Sequence, residues 1–566
     1  MRTLRPILLL AAFISFSGCA TNLHSSSSAA TPKATYQPGE LNGETLFDIL
    51  SAELAANQDH YNYSLEKYLK QAELTRDPGL AKRAASIAQY LRDTDALTRA
   101  VKLWIIADPS EPEPRQILAN ILITQGKFTE ALPHFKTALD QGQGKALLLI
   151  TSQLGKMSNT EVTAYIELLE AVDIDKSLNN ERLVALGILQ GHLKQYTVAL
   201  QNFNRALESS ADLPSALYQK AETLKSLNRY AEALSTVQLL LVDAADDRQY
   251  NALEIQLLFL LKQNKQGIAK IDQLIINNKD DVPLHNYLAL TALDFNQLDK
   301  SKSILEKLLL TSPANSSPYF YLGIIAERNE QPLQAIDYYL KVDSGSNLLQ
   351  AHTRAISLHK NATDKEKVEK ITEQLINSHI ENQTTYLLML ADWLIKFEFR
   401  QDAISLLDTN IQQQGDNTDL LYTRAMYLEP TDFPGAERDF KRLLQLTPDN
   451  AVALNAYGYT LTVHTSRYQE ALTLIERALA LAPKDPATID SMGWVLYKLK
   501  RYDEAIVYLS QAYLLYDDPE VASHLIAALA DNNDRERAQE LFIKISNSHP
   551  DNKFVERARQ SLEKKQ

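Results

Sequence analysis

The residues best suited to chemistry in this chain are a Gly-Lys pair near 144, a scatter of 11 histidines, recurrent acidic pairs and one cysteine, Cys19. The first three do not assemble into a reaction centre. A phosphate-binding loop needs a leading glycine, a lysine and then Ser or Thr. Around "GQGKA" (142–146), Leu139 stands where the leading glycine belongs and Ala146 replaces the hydroxyl. The histidines never form a His-Glu-x-x-His pair, and paired cysteines that could hold zinc are absent from the sequence. Acidic pairs such as Asp503 and Glu504 recur where a helical pattern begins, and the positive end of the helix dipole favours carboxylates there. They read as helix-start residues rather than a general acid and base. The chain is therefore expected to be no enzyme, with no cofactor and no metal, and its function should live on a surface.

Cys19 is different. Arg2 and Arg5 precede an apolar stretch from Ile7 to Phe16, the charged start and hydrophobic middle of an export signal. That stretch is too short to cross a bilayer as a helix. It ends in Phe16-Ser17-Gly18-Cys19, which resembles a bacterial lipobox. The resemblance implies cleavage after residue 18 and acylation of the Cys19 thiol. An ordinary signal cut after Ala20 is the alternative. A lone cysteine has no internal disulfide partner, and acyl chains buried at about 0.8 kcal/mol per CH₂ would anchor the chain. Ala20 follows Cys19. Under the sorting rule that comes with the resemblance, this implies the outer membrane, with the protein lipid-anchored and facing the periplasm. Residues 19–43 are rich in Ser, Thr, Ala and Pro and read as a flexible tether with a reach of roughly 25–30 Å.

The remainder, 44–566, keeps one beat. Small residues recur at Ala199, Ala233, Gly267, Ser301 and Ala335, each 34 residues after the last; after a double interval of 68 the beat resumes at Ala403 and runs near 34 through Ala436, Ala471, Ala505 and Ala538. Four residues after each stands a large apolar side chain, such as Phe203, Tyr339 or Leu509. A period of this length means stacked helical hairpins. In 486–519, Ile489, Met492, Gly493 and Leu496 fall at i, i+3, i+4 and i+7, one face of a helix. Gly493 and Ala505 are small where two helices must approach closely. The fold expected is all-α, a hairpin solenoid of about 12 to 15 units, most regular over 181–342 and 417–550 and irregular over 145–180 and 348–380. Gly plus Pro is 37 of 566, too few for disorder. With 58 cationic and 71 acidic side chains the net charge is −13, and no long Lys/Arg block exists. Both argue against nucleic acid as a partner.

Segments such as "YFYLGIIAERNEQPLQAIDYYLKV" (319–342) and "RYQEALTLIERALALAP" (467–483) resemble the tetratricopeptide repeat (TPR). The resemblance implies a right-handed superhelix whose first helices line a concave groove. Counting from Gly493, the groove-facing places include Asp490, Trp494 and Tyr497. Counting from Gly458 gives Asn455 and Tyr459, and from Gly323 gives Phe320 and Ile324. Trp494 and Tyr497 are three apart and share a face. Beside Asp490 they are expected to form a partner-binding hot spot, for an amphipathic helix or an extended segment. The other reading of these rings is core.

The run 455–526 is more specific. It has one extra residue before "RYQEA", then "DSMGWVLY" (490–497) and "DDPEVASHL" (517–525). It resembles a proteobacterial family of outer-membrane TPR lipoproteins, the LbcA-like adaptors. "YLKQAELTRDPGLAKRAASIAQYL" (68–91) is similar to that family's N-terminal hairpins. The resemblance implies a scaffold that binds a periplasmic carboxyl-terminal processing protease together with its substrates, peptidoglycan hydrolases, and so promotes their proteolysis. The alternative is a scaffold for envelope assembly, either an activator of a peptidoglycan synthase or a secretion pilotin.

Overall fold

The small-then-large beat has a direct physical meaning in the folded chain. A computed structural model describes residues 42–140, 146–172 and 178–563. Cys19, the export signal, nearly all of the tether and the Gly-Lys pair lie outside the described residues. Within them are 31 α-helices and no strand. In chain order thirteen consecutive pairs among the described residues pack as hairpins, within the expected range, and one last helix follows them. The helices fall into two units that divide between Lys279 and Asp280, fourteen in the first and seventeen in the second.

Each small residue of the beat is buried where its hairpin closes, and the large residue four places on fills the space beside it. Of the large residues only Phe542, in the last hairpin, stays partly exposed. A Cβ added at Gly493 would sit 2.5 Å from Leu509 Cγ, and one added at Gly187 would sit 2.5 Å from Phe203. The glycine of the first helix is thus the socket for the large residue of the second. Ala505 and Leu509 are both 0 % exposed, so no space remains for a bigger group. Ala505→Leu should lower stability by about 1–3 kcal/mol through overpacking, read as a fall in urea midpoint at constant slope.

The helix ends follow the sequence. Pro486 opens its helix at a position that needs no donor, behind Asp485, whose carboxylate accepts from Thr488 N at 2.8 Å. Asp503 accepts from Asn532 Nδ2, and Glu504 is held by Arg501 at 2.6–2.7 Å, both in the first turn as expected. The turn inside most hairpins carries a left-handed residue, Lys194, Asn228, Lys262, Asn296 and Lys500 among them. The extra residue before Ala471 removes that feature: the helix Ala451–His464 ends on an extended Thr465 (φ −137°). The irregular stretches keep two helices each, but their first helices are shortened, Ala146–Ser152 and Leu348–Ser357, and pack on neighbouring helices rather than closing against the helix that follows.

Candidate functional site

The first helices of the last three hairpins are Ala451–His464, Pro486–Lys498 and Pro519–Asp531, and Lys553–Glu563 follows them. An ordinary first helix in this chain, such as Pro214–Ser226, buries one stripe and leaves the rest wet. Two of these do not. Every residue from Thr488 to Leu496 is buried, and every residue from Val521 to Ala530. Something covers the side that points away from the hairpin core.

The cover is an aromatic and ionic cluster closed by the last helix. The Trp494 ring stacks on His524 at 4.0 Å and on Tyr497 at 4.8 Å. The Arg557 guanidinium, from Lys553–Glu563, lies 4.8 Å over the same indole, and Lys498 Nζ is also 4.8 Å from it, both suited to cation–π attraction. His524 Nδ1–H donates to the Asp490 carboxylate at 3.0 and 3.1 Å. Tyr497 donates to Asp531 Oδ2 at 2.9 Å, and Tyr459 donates to Glu520 Oε1 at 2.7 Å. Burial pushes both tyrosine hydroxyls above their ordinary value, and the carboxylates beside them push the same way. They remain neutral donors throughout the physiological range.

The expectation that Asp490 and Trp494 line an open groove is therefore corrected. They are 7 % and 3 % exposed. The count from Gly493 gave the right direction, since Trp494 points opposite to Met492 and Leu496. It did not reveal that His524 and Arg557 occupy the space it points into. Phe320 is corrected too: it is 5 % exposed and packs against Tyr321 and Tyr339 in the core of its own hairpin. Ile324, Asn455, Tyr459 and Tyr497 keep partial exposure. His524, Glu520, Asp531 and Arg557 were missed. His524 stands 34 residues after Asp490, and Asp531 stands 34 after Tyr497. Pairing each groove residue with the one a full repeat later would have found both.

Among the described residues no group of His, Cys, Asp and Glu could hold a metal ion, and no helix is long and apolar enough to cross a membrane. The cluster holds stacked rings, carboxylates and buried hydrogen-bonding groups closed under the last helix.

The chain is 29 % identical over 541 residues to the TPR repeat-containing protein PA4667 of Pseudomonas aeruginosa, covering 92 % of this chain and 90 % of that one. The fold is that of a TPR protein. The coatomer epsilon subunit family matches residues 314–564, less than half of the chain. Among solved structures, Naa15/Naa10 bound to HypK-THB is similar at 14 % identity, covering 91 % of this chain and 82 % of that one, with a TM-score of 0.41. MamA (residues 41 to the end) from Desulfovibrio magneticus RS-1 is similar at 19 % identity, covering 30 % of this chain and 96 % of that one, with a TM-score of 0.27. In TPR terms the cluster sits on the groove side of the final repeats, and the last helix stands where the next first helix would.

Proposed function

We propose that this TPR protein is a non-catalytic scaffold, lipid-anchored through Cys19 to the outer membrane and facing the periplasm. It binds a carboxyl-terminal processing protease together with peptidoglycan hydrolases and promotes their proteolysis. The observation that supports this most is the run 455–526. Two of the features that make it resemble the protease-adaptor lipoproteins, "DSMGWVLY" and "DDPEVASHL", supply Asp490, Trp494, Tyr497, Glu520 and His524 of the cluster. The mechanism is co-localisation. Two proteins held on one scaffold meet at effective concentrations in the millimolar range without new chemistry.

Capture by the acylated full-length chain from envelope extract should recover a processing protease, and deletion of the gene should make a peptidoglycan hydrolase accumulate. Unchanged hydrolase levels would overturn the adaptor reading. A peptidoglycan synthase or a secretin in the capture would install the envelope-assembly reading instead. The anchor is tested separately. Cys19→Ser should abolish labelling by radioactive palmitate and shift the chain from the membrane to the soluble periplasmic fraction; a variant that stays acylated would refute the lipobox.

A further inference from the structure

The first described helix, Gly43–Asn57, is built inside out. It packs on Tyr61–Thr75 through Thr45, Asp48, Ala52 and Ala55, which are buried. On its other side Leu46, Phe47, Leu50 and Leu54 are 54, 66, 55 and 63 % exposed. At 3.6 residues per turn these four fall within about 100° of one another, and only Gly43 and Asn57 share that arc. No other helix among the described residues exposes as many large apolar side chains. Single exposed leucines are ordinary on a protein surface, whereas a contiguous stripe marks a contact with something apolar.

The charges of this helix point to the same conclusion. It carries three, all acidic, and each is engaged from the next two helices, Tyr61–Thr75 and Pro78–Leu91. Lys70 Nζ lies 2.9 Å from Glu44 and 2.8 Å from Asp48, and Lys67 Nζ lies 2.9 Å from Asp48. The Tyr68 hydroxyl and Arg83 both donate to Glu53. Lys70 and Lys67 hold the Asp48 carboxyl well below the usual carboxylate range. The outer arc is left without charge. At one end of it Leu54 lines a shallow pocket with Tyr63, itself 44 % exposed, and an amphipathic ring at the rim of an apolar face suits the headgroup level of a bilayer.

The tether does not have the side chains to cover this face: residues 20–42 hold only Leu23, Tyr36 and Leu41 as large apolar groups. A second copy is disfavoured by size, since a stable dimer uses about 20–30 residues a side and the stripe offers four side chains and one ring. A lipid surface needs only an apolar helix face laid parallel to it. Gly43 stands 24 residues after Cys19 (43 − 19), within the tether's reach of roughly 25–30 Å.

We infer that Gly43–Asn57 lies on the lipid surface of the outer membrane, with Leu46, Phe47, Leu50 and Leu54 at the acyl-chain boundary, as a second attachment beside the acyl anchor. This rests on the anchored reading of Cys19. Acyl chains behind a flexible tether hold the chain near the bilayer and leave its direction free. A helix seated in the interface fixes which way the first hairpin points.

The probe is the mature chain with a hexahistidine tag in place of Cys19, held on phosphatidylethanolamine and phosphatidylglycerol vesicles that contain a nickel-chelating lipid. Without Cys19 the chain has no cysteine, so Leu50→Cys and, separately, Glu130→Cys each take one fluorophore; Glu130 is exposed, two hairpins further on. With brominated acyl chains in the vesicles, the label at Leu50 should lose at least half of its emission and the label at Glu130 should keep its own. Unchanged emission at Leu50 overturns the inference. A Leu50 label already shielded from iodide before vesicles are added overturns it in favour of the tether as cover. Dimers in solution that Phe47→Glu with Leu50→Glu dissociates overturn it in favour of a second copy. Because the tag replaces the thiol, a failed palmitate label leaves this readout untouched, and unchanged emission leaves the lipobox untouched.

Discussion

Trp494→Ala should destabilise the C-terminal hairpins by about 3–5 kcal/mol, the cost of removing a buried large aromatic side chain. The indole is the common plate of the cluster: it touches His524, Tyr497, Lys498 and Arg557. Its loss opens a cavity beside the His524–Asp490 pair and removes the surface on which Arg557 rests, so the last helix should loosen with it. The effect should appear as an early transition in urea unfolding, confined to the final hairpins, with hydrogen exchange rising over 486–563. Trp494→Phe separates packing from hydrogen bonding. It keeps a flat ring for His524 and Arg557 and deletes a buried N–H that has no acceptor. Replacing an unsatisfied polar group by an apolar one is close to neutral, so this variant should change stability by less than about 1 kcal/mol. A loss below about 1 kcal/mol for Trp494→Ala would mean that the ring is not core, and would restore the open groove expected from the repeat pattern. Because the ring is structural, a double Trp494→Ala, Tyr497→Ala change cannot report on partner binding without a folding control.

Much of the architecture can be read from spacing alone, because a TPR hairpin must place a small residue wherever a large one from its partner helix arrives. Gly187 opposite Phe203 and Gly493 opposite Leu509 are that rule in atoms. The irregular stretches lose the small residue, and there the first helices are short. The groove side was readable as a direction: Trp494 and Tyr497 do leave the hairpin core together. Its contents were not, for two reasons. Contacts between neighbouring repeats link residues one period apart, as in Asp490–His524, Tyr497–Asp531, His359–Trp393 and His352–Tyr386, and an amphipathic count within one helix cannot show them. The last helix carries the pattern of one more first helix, and nothing in "KFVERARQSLE" states that Arg557 will reach back to a ring two hairpins earlier. Phe320 shows the same limit from the other side. A position that faces the groove in a regular repeat became core, where Tyr321 and Tyr339 close over it.

Acidification from pH 7 to pH 4 should cost the second unit about 3 kcal/mol through one residue, His352. Its imidazole is fully buried and fully used: Nε2–H donates to Val342 O at 2.9 Å, and Nδ1 accepts from the Tyr386 hydroxyl at 2.8 Å. A proton on Nδ1 would cost the bond in its present sense and force the Tyr386 O–H to turn away. Burial drives the imidazole down from its ordinary 6.5 to about 4; the bond to Val342 O opposes this, and His379, with its ring 5.7 Å away, adds to it. The folded chain thus keeps His352 neutral where the unfolded chain would protonate it. The sign follows from linkage. With the folded value below the unfolded one, the contribution is fully present above pH 6.5 and is lost as pH falls towards 4, at about 1.4 kcal/mol per unit. His352→Gln keeps a neutral donor and acceptor of similar reach and cannot titrate. It should therefore cost stability at pH 7, through imperfect packing, while flattening the pH dependence between 6.5 and 4. The measurement is a pair of urea titrations at pH 7 and pH 4.5 on wild type and variant. Equal pH slopes for the two proteins would show that His352 accepts its proton in the folded chain, and that the Tyr386–His352–Val342 relay is not the arrangement in solution.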